Sequence, residues 1–142
     1  MTMPDPETLL PHWINRLSFQ LRARAQEALA PFDLSPEEWG LLLVLWSAGP
    51  LPMNALAQRT VKDRTTVTRL VDRLVAKGVV ARQAQDGDRR VVEIAVTPEG
   101  QARRDKVVAA MMPVVAAATT GIALHELEQA RSVLMRMAAN LG

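Results

Sequence analysis

The sequence predicts a mainly α-helical fold carrying one small β-hairpin, on three observations. Apolar residues recur at three- and four-residue steps through the long stretches. Ser35, Asp63 and Thr97 stand where helix caps belong, two of them followed by proline. Only residues 79–96 are rich in β-formers, and these flank a polar glycine turn.

Residues 6–30 read as a first helix, with Leu10, Trp13, Ile14, Leu17, Leu21, Ala25 and Leu29 as its stripe and Pro31 as its stop. A second follows, capped by Ser35 with Pro36 at its first position and Glu38 at the box position, and ended by Gly49-Pro50. LPMNALAQRT gives a short helix with Leu56 and Ala57 inward, and VKD a turn. Asp63 caps a helix to about Lys77, with Val67, Leu70, Val71 and Leu74 as its buried stripe and Gly78 as its stop. Residues 79–83 and 91–96 read as strands joined around Asp86-Gly87-Asp88. Thr97 and Pro98 open the next helix, which Pro113 kinks or stops early. The last helix, from about Leu124 to Asn140, carries Leu127, Val133, Leu134, Met137 and Leu141.

In order this is four helices, a hairpin and two helices. Two short helices with a tight turn, followed by a hairpin, make a winged helix-turn-helix. Longer apolar helices flank it on both sides.

The bulk numbers bound what such a chain can do. Its 142 residues are one domain's worth. Cysteine is absent, which excludes disulfides, thiolate zinc sites, cysteine nucleophiles and thiol switches. The N-terminus lacks the basic and apolar regions of a secretory signal, and a reducing cytoplasm is the expected location. The apolar run 107–124 contains Pro113 and ends in Thr119, Thr120 and Gly121, so it reads as a buried helix rather than a membrane span. No catalytic triad order, phosphate loop or paired carboxylates stand out, and His12 and His125 lie far apart. The expectation is therefore no enzyme, no cofactor and no metal.

Charge is distributed unevenly. The net charge is only +2, yet from Arg59 to Arg90 nine basic residues face four acidic ones, while the rest of the chain is net acidic. A concentrated basic excess is the footprint of a polyanion-binding face.

Three stretches together resemble the MarR family of bacterial transcriptional regulators. They are LSPEEWGLLLVL, LAQRTVKDRTTVTRLVDRLVAKGVVAR, and DGDRRVVEIAVTPEGQ with its D-x-R pattern at Asp88 and Arg90 and its Thr97. The resemblance covers nearly the whole chain as one MarR-type domain. Residues 31–97 form its winged helix-turn-helix, and 1–30 and 98–142 its dimerisation helices. It implies a homodimer on a palindromic double-stranded operator, usually as a repressor, often answering to a small aromatic or phenolic effector. The family pattern also implies that Asp88 pairs with Arg90 and braces the turn.

On the helix from Asp63, the buried stripe leaves Arg64, Thr65, Thr68, Arg69 and Arg73 outward, with Thr66 near the edge. A helix fits the major groove, where arginine can bond guanine O6 and N7 together and threonine can meet thymine's methyl or a phosphate. Arg64, Thr65, Thr66 and Arg69 are the candidates for bases or adjoining phosphates. Asp72 cannot face phosphate comfortably, so it should orient Arg69, Arg73 or a wing arginine. On the hairpin, Arg89 or Arg90 at the tip would enter a narrow minor groove. With Asp88 holding Arg90, Arg89 is the preferred one, and Arg82 adds a phosphate contact.

The flanking helices serve another purpose. Residues 107–118 are apolar on nearly every face, so they must be buried in a larger monomeric core or between subunits. A two-fold dimer through the first helix and the last two would bury them and set two recognition helices about 34 Å apart. An effector pocket has thinner support. His12, Trp13 and Arg16 lie near one another on the first helix, and Arg16 could hold a carboxylate or phenolate. Trp39 and Trp46 share a helix face and fit plain core as well as a pocket. The alternative function is a winged-helix protein-interaction module, which needs no basic excess on its helix and wing.

Overall fold

In a computed structural model, residues 1–60 and 62–142 are described. Helix α1 spans Leu10–Leu29, α2 Pro36–Ala48, α3 Met53–Arg59, α4 Arg64–Ala76, α5 Pro98–Thr119 and α6 Leu124–Asn140. Strands β1 (Leu51–Pro52), β2 (Val80–Gln85) and β3 (Asp88–Val96) form an antiparallel sheet in the order β1-β3-β2. The turn expected at 61–63 falls partly outside the described residues, at Val61.

The caps act as their sequence implies. Ser35 Oγ accepts from the Glu38 amide while Glu38 Oε1 accepts from the Ser35 amide, so each satisfies a donor the first turn of α2 leaves open. Asp63 accepts from the Thr66 amide at 2.7 Å. This bond, with its side-chain counterpart, holds the Asp63 carboxyl below the usual aspartate range. Thr97 accepts from the Gly100 amide and donates to the Gly78 carbonyl at 2.6 Å, which ties the start of α5 to the end of α4.

The core lies where α2, α3, α4 and the sheet meet the C-terminal half of α1 and the first half of α5. Leu29, Leu41, Leu42, Leu56, Val67, Val71, Leu74, Ile94 and Val107 are wholly buried there. All four residues of the α4 stripe are buried. Gly100 makes the α5 contact possible: a Cβ there would collide with the Val79 carbonyl oxygen and the Val96 side chain. Glu38, like Glu93 of β3, is a buried acid of this region. Lys77 Nζ, at the end of α4, stands 3.0 Å from its Oε2, so one lysine links α4 to the N-terminus of α2.

Several expectations are corrected. The first helix begins at Leu10, not residue 6, because Asp5 caps a separate 3-10 turn over Pro6–Thr8. Pro113 does not stop α5, which runs on to Thr119. Proline removes one helical hydrogen bond, but packing along α1 holds the helix together. The sheet has a third strand, since Leu51 and Pro52 pair with Ile94 and Glu93. Two residues are too few to leave a period-two pattern in sequence.

Burial also differs. Of the all-apolar stretch 107–118, only Val107 and Met111 are buried, because α1 covers one side of α5 alone. The first-helix stripe is buried only at Ala25 and Leu29, while Leu10, Trp13, Ile14 and Leu17 are exposed. No residue of α6 is buried. No single helix among the described residues is long and apolar enough to cross a membrane; α5 and α6 meet that test only as a pair bent by 96°.

Candidate nucleic-acid interface

Helix α4 buries one face and presents the other. Arg64, Thr65, Thr68, Arg69 and Asp72 line a shallow surface groove of about 370 Å³. Arg73 is exposed nearby on the same helix, and Thr66 is half-buried at the edge. Thr68 Oγ donates to the Arg64 carbonyl one turn back, a local bond that occupies its proton but leaves its methyl free.

The arginines differ in how they are held. Arg64, the first residue of α4, donates from Nη1 to Asn54 Oδ1 of α3 at 2.6 Å. Arg82 of β2 donates to Asp72 at 2.6 Å. Asp72 thus orients a wing arginine, and does not pair with Arg69 or Arg73. Among the described residues Arg64, Arg69, Arg73 and Arg89 have no carboxylate partner.

The wing departs from a plain hairpin. Pairing runs from Val80↔Val96 to Ala84↔Val92 and then jumps to Gln85↔Asp88. Residues 89–91 therefore have no opposite number on β2, and form a bulge. The turn itself is Asp86-Gly87, with Gly87 at φ 87°. Arg89 and Arg90 are thus not at the tip but in the bulge just beyond it, the kind of irregularity that re-aims side chains. Asp88 accepts from the Arg90 backbone amide and from its guanidinium, at 3.1 Å each. These two bonds, the side-chain one foremost, hold the Asp88 carboxyl below the usual aspartate range. The brace implied between Asp88 and Arg90 is present in this geometry, and Arg89 is left exposed without a partner among the described residues.

The candidate effector residues fall into two separate clusters. His12 stacks edge-on to Trp13 with ring centroids 5.6 Å apart, and the Arg16 guanidinium lies 5.5 Å over the Trp13 ring. Trp39 and Trp46 meet edge-on at 6.2 Å against the core, where the Trp46 indole N–H is buried without an acceptor. An open groove of about 700 Å³ lies instead between α1 and α5, with Leu17, Phe19, Arg24, Pro113 and Val114 among its walls. None of the five candidate effector residues lines it. No group of three or more His, Asp or Glu among the described residues is placed to hold a metal ion.

Two features of this surface escaped the sequence. Asn54 is ten positions from Arg64, on another helix, and no periodic signal links them. The bulge at 89–91 left only the dense run Asp-Arg-Arg as its trace.

Comparison with known proteins agrees with the geometry. A model described as the MarR family matches residues 32–91. The HTH-type transcriptional repressor MdtR of Bacillus subtilis is 27% identical over 112 residues, covering 79% of this chain and 72% of that protein. The HTH-type transcriptional regulator TtmR of Methylorubrum extorquens is 33% identical, covering 86% of this chain and 63% of the relative's length. A MarR family transcriptional regulator from Silicibacter pomeroyi superposes with a TM-score of 0.84 at 25% identity, covering 94% of this chain and 89% of that one. The matched family model, the relatives and the fold together support a MarR-family winged-helix protein.

Proposed function

We propose that this chain is a cytoplasmic, homodimeric repressor that binds a palindromic DNA operator and releases it on binding a small aromatic or phenolic effector. One juxtaposition carries the DNA-binding part. Arg64, Arg69 and Arg73 stand exposed on α4, and Arg89 on the adjoining wing, with no carboxylate to neutralise them among the described residues. Unpaired cations on a convex helix suit a polyanion. The helix suits a major groove and the re-aimed wing a minor one. Arg64, Thr65, Thr66 and Arg69 take bases or adjoining phosphates; Thr68 and Arg73 take the backbone. Arg82 approaches a phosphate while tethered to Asp72. Like many regulators with a basic helix and wing, this one is read as a binder and not as an enzyme.

The dimer is supported by what one chain leaves uncovered. The terminal segments 1–30 and 98–142 expose Leu10, Trp13, Leu17, Met112, Val115, Leu134 and Met135. Large apolar side chains left exposed on terminal helices mark an interaction surface where they adjoin. A second copy would cover it and pair two half-sites about one DNA turn apart. The effector part is supported by the His12-Trp13-Arg16 cluster on this same helix, where a cation stands over an aromatic ring.

The test is fluorescence anisotropy on a duplex enriched by the protein from a random pool and on a scrambled duplex, at several salt concentrations. Affinity should fall steeply with salt because phosphate contacts release counterions. The enriched duplex should bind at least about a thousandfold tighter. Equal binding to both duplexes would make the chain an interaction module instead. Arg16→Ala that leaves effector-induced release unchanged would remove the effector site.

A further inference from the structure

Arg64 stands at the end of its helix that a major groove would meet first. It is the first residue of α4, so its backbone has only one side of helical packing, and its side chain is exposed. A free arginine there would sample many rotamers and lose them all on binding. In this chain it does not stand free. Asn54, on the first turn of α3, accepts from its Nη1 at 2.6 Å. The partner is an amide rather than a carboxylate. It fixes one nitrogen of the guanidinium while leaving the positive charge intact, and the other nitrogens still have donors for a base edge. Contrast Arg82, whose charge Asp72 offsets.

We infer that Asn54 is a specificity-determining positioning residue: it presets the Arg64 guanidinium for base recognition without itself touching the DNA. This rests on the proposed base-reading role of Arg64. The physical effect is preorganisation. An interface side chain already held in one rotamer gives up less freedom on binding. The penalty for losing this hold therefore falls on the sequence-specific complex, in which Arg64 must keep one geometry. Nonspecific binding, in which Arg64 needs only to lie near phosphate, is spared.

The test uses the full-length protein with Asn54→Ala, Arg64→Ala and the double variant, on the enriched and scrambled duplexes. Asn54 is exposed and α3 accepts alanine readily, so N54A should fold and melt like the parent. N54A is expected to weaken the enriched duplex about three- to tenfold. It should leave scrambled-duplex affinity and the salt slope unchanged, and have no further effect in the R64A background. A merely structural residue would weaken both duplexes alike. Parent-like discrimination by N54A overturns the inference, and so does a full penalty that persists without Arg64, since Asn54 would then act on DNA directly. The two readings separate cleanly. If R64A abolishes discrimination but N54A does not disturb it, only the role of Asn54 falls. If R64A itself leaves discrimination unchanged, the base-reading role of Arg64 falls and the positioning role falls with it.

Discussion

Asp72 of α4 and Arg82 of β2 are joined at 2.6 Å, so the helix that faces outward and the wing beside it are tied by one ion pair. Both side chains are partly exposed, at 62% and 37%. Such a pair contributes little to folding, about 0.2–1 kcal/mol. Its role lies in placing a cation beside α4 at reduced net charge. Asp72→Ala should therefore shift stability by less than about 1 kcal/mol, measured by urea denaturation. It should also release Arg82 to neutralise one more phosphate, and steepen the log-log salt dependence of DNA affinity by about 0.9. An unchanged slope would mean that Arg82 never reaches the backbone.

Asp88 carries a pH prediction. Its carboxyl is held below the usual range, first by the Arg90 side chain and then by the Arg90 amide. The folded value lies below the unfolded one, so the brace is fully present above the unfolded aspartate range. It is lost as pH falls through the folded value. Carboxyl-resolved NMR should give Asp88 a midpoint below 3.8. In Arg90→Ala the midpoint should move back toward 3.8 but not reach it, because the backbone donor remains. A midpoint that ignores Arg90 would dissolve the brace.

Gly100 and Gly87 should respond differently to alanine. At position 100 the new Cβ strikes the Val79 backbone and Val96 where α5 leaves the sheet. Overpacking there should cost about 1–3 kcal/mol despite alanine's better helix propensity. At position 87 there is open space, and only the positive φ resists. Gly87→Ala should cost about 1 kcal/mol. Equal losses in urea titrations would contradict this split.

Leu134 on α6 is 45% exposed in one chain. If a second copy covers it, Leu134→Asp should raise the dimer dissociation constant at least about thirtyfold. Sedimentation should then show monomers at concentrations where the parent is dimeric. Circular dichroism of the isolated chain should hardly change. A parent that sediments as a monomer would remove the dimer altogether.

Much of the helix-turn-helix was legible because its signals are local. Ser35 with Glu38, Asp63 and Thr97 satisfy amides within three residues of themselves, so spacing alone exposes them. The α4 stripe repeats at the helical period, and all four members are buried as that period requires. The same logic says less about α1 and α6. Periodicity reports that a face needs covering, not which molecule covers it, and so the stripe at Leu10–Leu17 is apolar yet exposed in one chain.

The sequence by itself determined the order of the six helices and the hairpin, the caps at Ser35, Asp63 and Thr97, and the concentration of positive charge between Arg59 and Arg90, while the brace at Asp88-x-Arg90 was implied by the family resemblance. Each depends on residues near one another along the chain. Only the tertiary structure decided which arginines are held and by what. Asn54 meets Arg64 and Asp72 meets Arg82 across ten residues of chain and between different elements. The bulge that re-aims Arg89 and Arg90 exists only through the register of β2 on β3. Pairing between elements depends on where the shared core places their backbones. Asn54 and Arg64 meet because Leu56 and Val67 pack α3 and α4 into that core.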